Sequence, residues 1–440
     1  MNGTTTRSGR AAFALLASIW LPATALAAPV TLRAELGQPV VLADTPQRGW
    51  LRVGLRGLPS ERRAPLNLAI VLDKSSSMAG DKIREARRAA METVRRLQPH
   101  DIVSVITYDS VVQVVVPATR ASDKRAILQA IAQVEAGGYT ALFAGVAKGA
   151  AELRKFRQRD RVNRVVLLSD GMANRGPSSP GELASLGANL ASEGISVSTI
   201  GLGLGYNEDL MARLAAASDG NHAFVEDAND LARVFDYEFG DMSSVVAQDV
   251  EVVIDCEPGM RPLRVLGRNA RVHGQRIRTR LSQVYGDQEK YILVEVALPA
   301  LSDGLARTVA KVSVTYTAMD GARRMQTSQS VGVAATRSAA SIEARTRTDV
   351  MVAAAEMQAN ERNKLALGLR DAGKVEEAKQ VLRDNTRVLH KEAARWGSKR
   401  LDRLGTINKD NSANLDQKKW RKTRKQMRKT QHEFDYQQSY

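Results

Sequence analysis

The chain has 440 residues, of which 43% are hydrophobic and 25% charged, a composition typical of folded globular proteins and not of disordered ones. Its length is too great for one ordinary domain and predicts two or three folded units. The 64 Lys and Arg residues outnumber the 48 Asp and Glu residues, so the net charge is +16 and favours anionic partners.

The N-terminus has the pattern of an export signal. Arg7 and Arg10 precede an uncharged apolar stretch at 11–28, which includes the small-x-small sequence Ala25-Leu26-Ala27. This pattern predicts a signal peptide over residues 1–27, whereas Pro22 and the marginal apolar length argue against a membrane-spanning helix. We therefore expect a periplasmic or secreted protein.

Cysteine usage and hydropathy agree with a soluble exported product. The single cysteine, Cys256, cannot form an intrachain disulfide and lies far from the signal sequence, so it does not support a lipid anchor. No later stretch is long and apolar enough for a transmembrane helix.

Residues 28–66 have the pattern of short strands, at 30–36, 39–42 and 50–55, separated by Gly, Pro and polar turns. These strands are too few to bury a core of their own, so we expect them to join another sheet.

Strands and helices alternate from residue 67 to 242. Two continuous apolar runs, 66–72 and 164–168, are typical of strands that are covered on both faces. The remaining predicted strands are 102–108, 111–116, 195–201 and 223–226, and the predicted helices are 82–97, 123–134, 141–156, 181–194, 208–217 and 228–239. This order predicts an α/β fold with a doubly wound, mainly parallel sheet. The tight turn between 102–108 and 111–116 adds one antiparallel edge strand.

Residues 245–335 contain no predicted helix. Apolar and polar residues alternate between turns, which predicts a β-sandwich domain with strands at 250–254, 263–266, 276–280, 291–298, 309–317 and 325–333. We expect the strands of 28–66 to belong to this sandwich, so that the α/β domain is inserted into it.

The C-terminal part returns to helix. Residues 338–395 predict a helical hairpin, which resembles an isolated hairpin of the tetratricopeptide type. Residues 396–440 form a basic tail with twelve Lys or Arg and five Asp or Glu, and without a continuous apolar face. A solvated helix or disordered segment is expected. The candidate residues for binding a polyanion or an anionic membrane are Lys418, Lys419, Trp420, Arg421, Lys422, Arg424 and Lys425.

Three separate segments of the predicted α/β unit carry oxygen-bearing side chains. Asp73, Ser75 and Ser77 come directly after the strand 66–72, Thr140 precedes the helix 141–156, and Asp170 follows the strand 164–168. Ligands of open parallel sheets bind beyond the carboxyl ends of the strands, so these side chains are expected to converge. An all-oxygen set without His or Cys favours Mg²⁺, with Ca²⁺ or Mn²⁺ as alternatives.

The D-x-S-x-S sequence, the distant threonine and the aspartate after the central strand resemble the metal site of the von Willebrand factor type A (vWA) family at all five positions. The resemblance covers about residues 67–242. It implies a divalent-cation-dependent protein-binding module in which an acidic side chain of the partner completes the metal sphere. The wider layout is similar to bacterial exported vWA proteins that are related to inter-alpha-trypsin inhibitor heavy chains and to calcium-activated chloride channel proteins.

Residues around this predicted site are candidates for contacting the partner. Lys74, Tyr139 and Arg175 flank the metal loops, and Tyr206 follows a glycine-rich run at 201–205. Plain solvent exposure is the alternative interpretation of these four residues.

Other functional classes have less support from the sequence. The five histidines are scattered and form no zinc-protease or Cys–His pattern, so no enzymatic activity is expected. The export signal makes nucleic acid an awkward partner for the basic tail and leaves a membrane surface or another polyanion as the alternative. A third hypothesis, a cochaperone-like vWA partner of an ATPase, requires an intact chain in the cytoplasm.

Overall fold

A computed structural model describes residues 28–415 and 417–438, so the predicted signal peptide lies outside the described residues. Within these ranges the chain forms a β-sandwich, an α/β unit and a C-terminal group of helices. None of the helices in the described ranges is both long enough and apolar enough to cross a membrane.

The first strands are β1 (Val30–Leu36), β2 (Val40–Leu42) and β3 (Gln47–Gly57). The elements of the α/β unit follow in the order β4 (Leu66–Asp73), α1 (Asp81–Arg96), β5 (Ile102–Tyr108), β6 (Val112–Arg120), α2 (Lys124–Ala132), α3 (Leu142–Arg154), β7 (Val162–Ser169), α4 (Pro180–Ser192), β8 (Ile195–Leu202), α5 (Glu208–Ser218), β9 (His222–Val225) and α6 (Leu231–Ser243).

The strands that come after the α/β unit are β10 (Val245–Cys256), β11 (Arg261–Leu266), β12 (Arg271–His273), β13 (Arg276–Tyr285), β14 (Glu289–Leu298), β15 (Ala306–Ala318) and β16 (Arg324–Thr336). The C-terminal helices are α7 (Ala339–Arg345), α8 (Thr348–Asp371), α9 (Val375–Trp396), α10 (Lys399–Ala413) and α11 (Gln417–Tyr436).

The sheet of the α/β unit has the strand order β6-β5-β4-β7-β8-β9, and every neighbouring pair is parallel except the antiparallel pair β5–β6. Its central strands are buried along their whole length because helices cover both faces. Leu68 and Ile70 of β4 pack in the apolar core between the sheet and helices α1 and α6. Ala69 and Val71 pack on the opposite face of the sheet, in the core that contains residues of α3. The predicted α/β fold class is thereby confirmed.

The sandwich is formed by strands that precede the α/β unit along the chain together with strands that follow it. One sheet has the order β1-β3-β14-β11, and the other has the order β12-β13-β10-β15-β16-β2. Strand β3, which precedes the α/β unit, pairs along its length with β14, which follows it, and β2 pairs with β16. The α/β unit is therefore inserted between β3 and β10, as the residue pattern of 28–66 predicts.

The C-terminal segment differs from the expected solvated or disordered tail. Helix α11 folds back and packs against α5, β9 and α8. Leu415 and Met427 are buried, and Trp420 packs beside them in a small apolar cluster. Because these apolar residues are too far apart to make a continuous stripe, the sequence pattern alone did not reveal the packing. Ion pairs to Glu208, Asp209 and Glu226 of the α/β unit also hold α11.

Candidate metal centre

The first loop of the site begins at the last residue of β4. Asp73 is fully buried, its Oδ1 accepts a hydrogen bond of 2.8 Å from the backbone N–H of Ser75, and its Oδ2 accepts one of 2.7 Å from the hydroxyl of Ser169. These bonds turn the chain sharply out of the sheet. The turn brings the hydroxyl oxygens of Ser75 and Ser77 within 3.1 Å of each other.

The second loop, which carries Thr140, is fixed to the first. The backbone N–H of Ser76 donates to the carbonyl of Gly138 at 3.1 Å, and the N–H of Gly137 donates to the carbonyl of Lys74 at 2.6 Å. Thr140 is 3% exposed, and its own N–H donates to Oδ1 of Asn174 at 2.9 Å. The position of Thr140 is therefore set by hydrogen bonds between its loop and both neighbouring loops.

The third loop begins with Asp170, directly after β7, and completes the convergence. The Ser77 hydroxyl donates to Oδ1 of the buried Asp170 at 2.6 Å. A side-chain Cβ placed on Gly171 would lie 3.2 Å from Oγ1 of Thr140, 3.4 Å from Oγ of Ser77 and 3.9 Å from Oγ of Ser75. The three hydroxyls thus border one small space, which only a glycine at position 171 leaves open.

The electrostatics of this space favour a cation. Burial raises the pKa of Asp73, and the nearby charge of Asp170 raises it further, while the hydrogen bonds from Ser75 and Ser169 lower it. The ammonium of Lys82, on the first turn of α1, lies 2.5 Å from Oδ2 of Asp170 and 3.2 Å from the carbonyl oxygen of Ser77. A tethered positive charge therefore already occupies the edge of the oxygen cluster.

The donor set fits a hard divalent cation. It contains two carboxylates and three neutral hydroxyls, which are the oxygen ligands that Mg²⁺ accepts alongside water. In the described residues no three His, Cys, Asp or Glu side chains gather where they could hold a metal ion. A metal at this site would therefore depend on the serine and threonine hydroxyls as well as on the aspartates.

The predicted rim residues have different environments. Lys74 forms an ion pair with Asp109, so its charge is partly neutralised within the chain. Tyr139 is 59% exposed, and the guanidinium of the exposed Arg175 lies 5.0 Å from the centre of its ring. Tyr206, by contrast, is only 1% exposed, so the expectation that it forms part of an exposed rim is wrong.

Tyr206 is buried because of the glycines beside it and because of α11. Its ring lies against Gly201, where a Cβ would come within 2.1 Å of a ring carbon, and the ammonium of Lys425 lies 4.0 Å from the ring centre. Gly205 packs against the carbonyl oxygen of Asp170, where a Cβ would come within 2.6 Å. The glycine-rich run at 201–205 thus serves close packing beside the metal loop.

The basic residues of the tail are engaged with the α/β unit to different degrees. Arg424 contacts the carboxylates of Glu208, Asp209 and Asp371. The buried ammonium of Lys425 donates to the carbonyl oxygen of Tyr206 at 2.6 Å and pairs with Glu208.

Four further tail residues lie nearer the surface. Lys422 pairs with Glu226 at 2.6 Å, and Trp420 stacks under the guanidinium of Arg370 at 4.9 Å. Lys419 and Arg421 are exposed, and Lys418 belongs to α11. Arg424 and Lys425 are thus bound to carboxylates of the chain itself, contrary to the expected solvated segment.

Some residues of the site were not identified from the sequence. Lys82 is the first residue of the helix predicted at 82–97, and its position one turn after the D-x-S-x-S element is the sequence signal for contact with that loop. Exposed apolar side chains also lie in loops at this edge of the sheet: Val111 is 69% exposed, Met172 56% and Leu204 39%.

Sequence comparison relates the α/β unit to known proteins. The family described as von Willebrand factor type A domain matches residues 67–236. An uncharacterized protein of Synechocystis sp. is 28% identical over 62% of this chain and 67% of its own length, and YfbK of Escherichia coli is 28% identical over 48% and 38%. Human inter-alpha-trypsin inhibitor heavy chain H3 is 28% identical over 38% of this chain. The chain spans only 19% of the length of that human protein.

Solved structures extend the similarity in fold beyond this unit. A structure described as von Willebrand factor type A from Catenulispora acidiphila aligns with a TM-score of 0.69 at 15% identity, over 88% of this chain and 89% of that one. The VWA2 paralog of ArnB from Sulfolobus acidocaldarius aligns with a TM-score of 0.62 at 18% identity, over 92% and 98%. The chain therefore carries a von Willebrand factor type A domain, which spans residues 67–236.

Proposed function

We propose that this chain is a divalent-cation-dependent protein-binding module of the cell envelope. The observation that carries the proposal is the convergence of the Ser75, Ser77 and Thr140 hydroxyls on the space beside Gly171, with Asp73 and Asp170 behind them. These five residues would hold Mg²⁺. The bound ion would supply a positive charge to which an acidic side chain of a partner protein can bind.

The chemistry of the site supports binding in preference to catalysis. Two carboxylates carry only enough negative charge to balance one divalent ion, and the three hydroxyls add none, so the ion stays electron-poor enough to bind an acidic side chain of a partner. The Ser77–Asp170 hydrogen bond and the Asp73–Ser169 hydrogen bond hold both carboxylates in place. Neither aspartate is free to accept a proton from a substrate while it holds a cation, so we propose no enzymatic role.

The surface around the site supports a protein partner. Tyr139 and Met172 expose apolar area close to the polar site, and Arg175 adds a positive charge beside Tyr139. Aromatic, methionine and arginine side chains are enriched at the centres of protein interfaces. An acidic loop with apolar neighbours would match this surface.

The alternatives have weaker support. Binding of an anionic membrane or another polyanion through the tail would have to displace the carboxylates that already contact Arg424 and Lys425. A cochaperone-like role beside an ATPase would be favoured only if the intact chain were found in the cytoplasm. We therefore place the proposed envelope role first.

The test is capture of partners from an envelope extract by the immobilised full chain, with Mg²⁺ and with excess EDTA. We expect capture to require Mg²⁺ and to be lost in Asp170→Ala. A matched control is Asp81→Ala, which removes a carboxylate that is exposed and outside the oxygen cluster. Capture that persists in EDTA, or that Asp81→Ala reduces as strongly as Asp170→Ala, would contradict the proposal.

A further inference from the structure

A large cavity lies between the α/β unit and the sandwich, away from the candidate metal centre. Its volume is about 980 Å³, and one wall is made of alanines on α4 and α5 that leave it open, among them Ala188, Ala191, Ala216 and Ala217. The opposite wall is the six-stranded sheet at β10, β13 and β15. A cavity of this size is typical of sites for small organic ligands.

The wall of this cavity carries an excess of positive charge. Six arginines line it against three carboxylates, those of Asp219, Asp249 and Glu251; the arginines are Arg159, Arg268, Arg271, Arg278, Arg280 and Arg324. Concave surfaces with one sign of charge concentrate the field and attract counter-ions. The wall of this cavity therefore favours a negatively charged ligand.

Two of these arginines stand directly opposite each other on neighbouring strands. Arg271 of β12 and Arg278 of β13 are partners in the antiparallel register, and within the described residues no carboxylate lies within 4.0 Å of either guanidinium. The next residue in the same row is Val253, which offers no charge. Like charges directly opposite each other destabilise a sheet. By contrast, Arg276 on the same strand is paired with Asp255 at 2.5 Å.

A third arginine of the wall is held rigidly. The Arg268 side chain is only 5% exposed, and its guanidinium donates to Oδ1 of Asp219 at 2.6 Å and to the carbonyl oxygen of Tyr436 at 3.5 Å. Its Nε–H is buried and has no hydrogen-bond partner among the residues that the structure describes. A buried donor without a partner costs free energy that a ligand oxygen could recover.

We propose that this cavity is a binding site for a soluble polyvalent oxyanion that bears phosphate or sulfate groups. The uncompensated Arg271–Arg278 pair supplies two adjacent guanidinium groups, and these bind such oxyanions through paired hydrogen bonds. The site lies in a cleft between two folded units, so a flat bilayer could not reach its inner wall. The arginines of this cavity also contribute to the net positive charge of the chain. In the tail, by contrast, Arg424 and Lys425 are paired within the chain and do not present their charge to solvent.

The experiment is isothermal titration of the full chain with inorganic tripolyphosphate and, in a second arm, with a sulfated hexasaccharide. EDTA is present throughout, so that the result does not depend on the metal centre. The test variant is Arg271→Gln combined with Arg278→Gln. The control is Arg261→Gln combined with Arg276→Gln, which makes the same change of charge on the sandwich outside the cavity.

We expect saturable 1:1 binding of at least one of the two anions by the native chain, weakened at least about tenfold by the test pair and less than about twofold by the control pair. The test variant should melt at the same temperature as the native chain or higher, because the repulsion between the two arginines is gone. Absence of saturable binding, or equal weakening by both pairs, would overturn the proposal. Arginine-dependent binding to phosphatidylserine vesicles without binding of either soluble anion would overturn it as well.

Discussion

The ammonium of Lys82 lies 2.5 Å from Oδ2 of Asp170, on the carboxylate that we propose as a metal ligand. Asp170 has no exposed side-chain surface, while the Lys82 side chain is 38% exposed and reaches the site from the first turn of α1. A tethered cation and a divalent ion would compete for the same carboxylate oxygen. Lys82 would therefore lower the affinity of the site for the divalent ion. Because its side chain is partly exposed, the ammonium group can move into solvent when the ion binds.

The first prediction concerns this competition. Replacement of Lys82 by Met should tighten Mg²⁺ binding by about tenfold, because the ion no longer has to displace an ammonium group from Asp170. Isothermal titration with Mg²⁺ measures the change. The control is Lys148→Met, which removes an exposed lysine of α3 that lies away from the cluster. An unchanged or weaker affinity in Lys82→Met would show that the ammonium does not compete.

The second prediction concerns the space beside Gly171. Gly171→Ala should abolish Mg²⁺ binding while the fold is kept, because the new methyl group would lie 3.2 Å from Oγ1 of Thr140 and 3.4 Å from Oγ of Ser77. Thermal melts with and without Mg²⁺ report both properties. Gly181→Ala is the matched control, since no atom lies within 4 Å of a Cβ at that position. Normal Mg²⁺ stabilisation of Gly171→Ala would place the ion elsewhere.

The third prediction concerns the attachment of α11. Arg424→Ala should lower the free energy of unfolding by about 2 kcal/mol, because three carboxylates lose their shared, largely buried partner. Urea unfolding measures this change. Arg421→Ala removes an exposed arginine from the same helix and should change stability by less than about 0.5 kcal/mol. Equal effects of the two substitutions would mean that α11 is held by general charge attraction alone.

The fourth prediction concerns pH. Burial lowers the pKa of His432 from its usual 6.5 to about 4, against the opposing effect of its hydrogen bond to the Gly220 carbonyl. The unfolded chain takes up this proton near pH 6.5 and the folded chain only near pH 4. Stability should therefore fall as the pH is lowered from 6.5 towards 4. Buried His222, whose pKa is also lowered by burial, adds to the same slope.

His432→Phe should flatten this pH profile, as measured by thermal melts across the interval. The exposed His273 provides the control, and His273→Gln should leave the slope unchanged. A slope in His432→Phe as steep as in the native chain would show that other groups cause the loss of stability in acid.

The sequence predicted the α/β unit well because its signals are local. Continuous apolar runs such as 66–72 indicate strands that are covered on both faces. Because these strands are parallel, the loops that follow them lie at the same edge of the sheet. The convergence of Asp73 and Asp170 follows from that topology, and Thr140 joins them from the loop before α3. The insertion into the sandwich was also predictable, since strands at 28–66 could not bury a core alone.

The features that were missed depend on contacts between distant segments. The sequence around Tyr206 is typical of an exposed loop. The side chain is nevertheless buried, because it packs against Gly201 and against Lys425, which lies 219 positions further along the chain. The packing of α11 depends on acceptors at the start of α5 that no local pattern reveals. The approach of Lys82 to Asp170 likewise joins two different loops.

We propose that Asp73, Ser75, Ser77, Thr140 and Asp170 together hold one divalent cation. The most direct measurement is titration of metal-free full chain with Mn²⁺, followed by electron paramagnetic resonance, for the native chain, Asp170→Asn and the control Asp81→Asn. We predict one Mn²⁺ bound by the native chain and by Asp81→Asn, displaced by Mg²⁺, and none bound by Asp170→Asn. Failure of the native chain to bind Mn²⁺, or equal binding by Asp170→Asn, would rule out a divalent-cation site at these five residues.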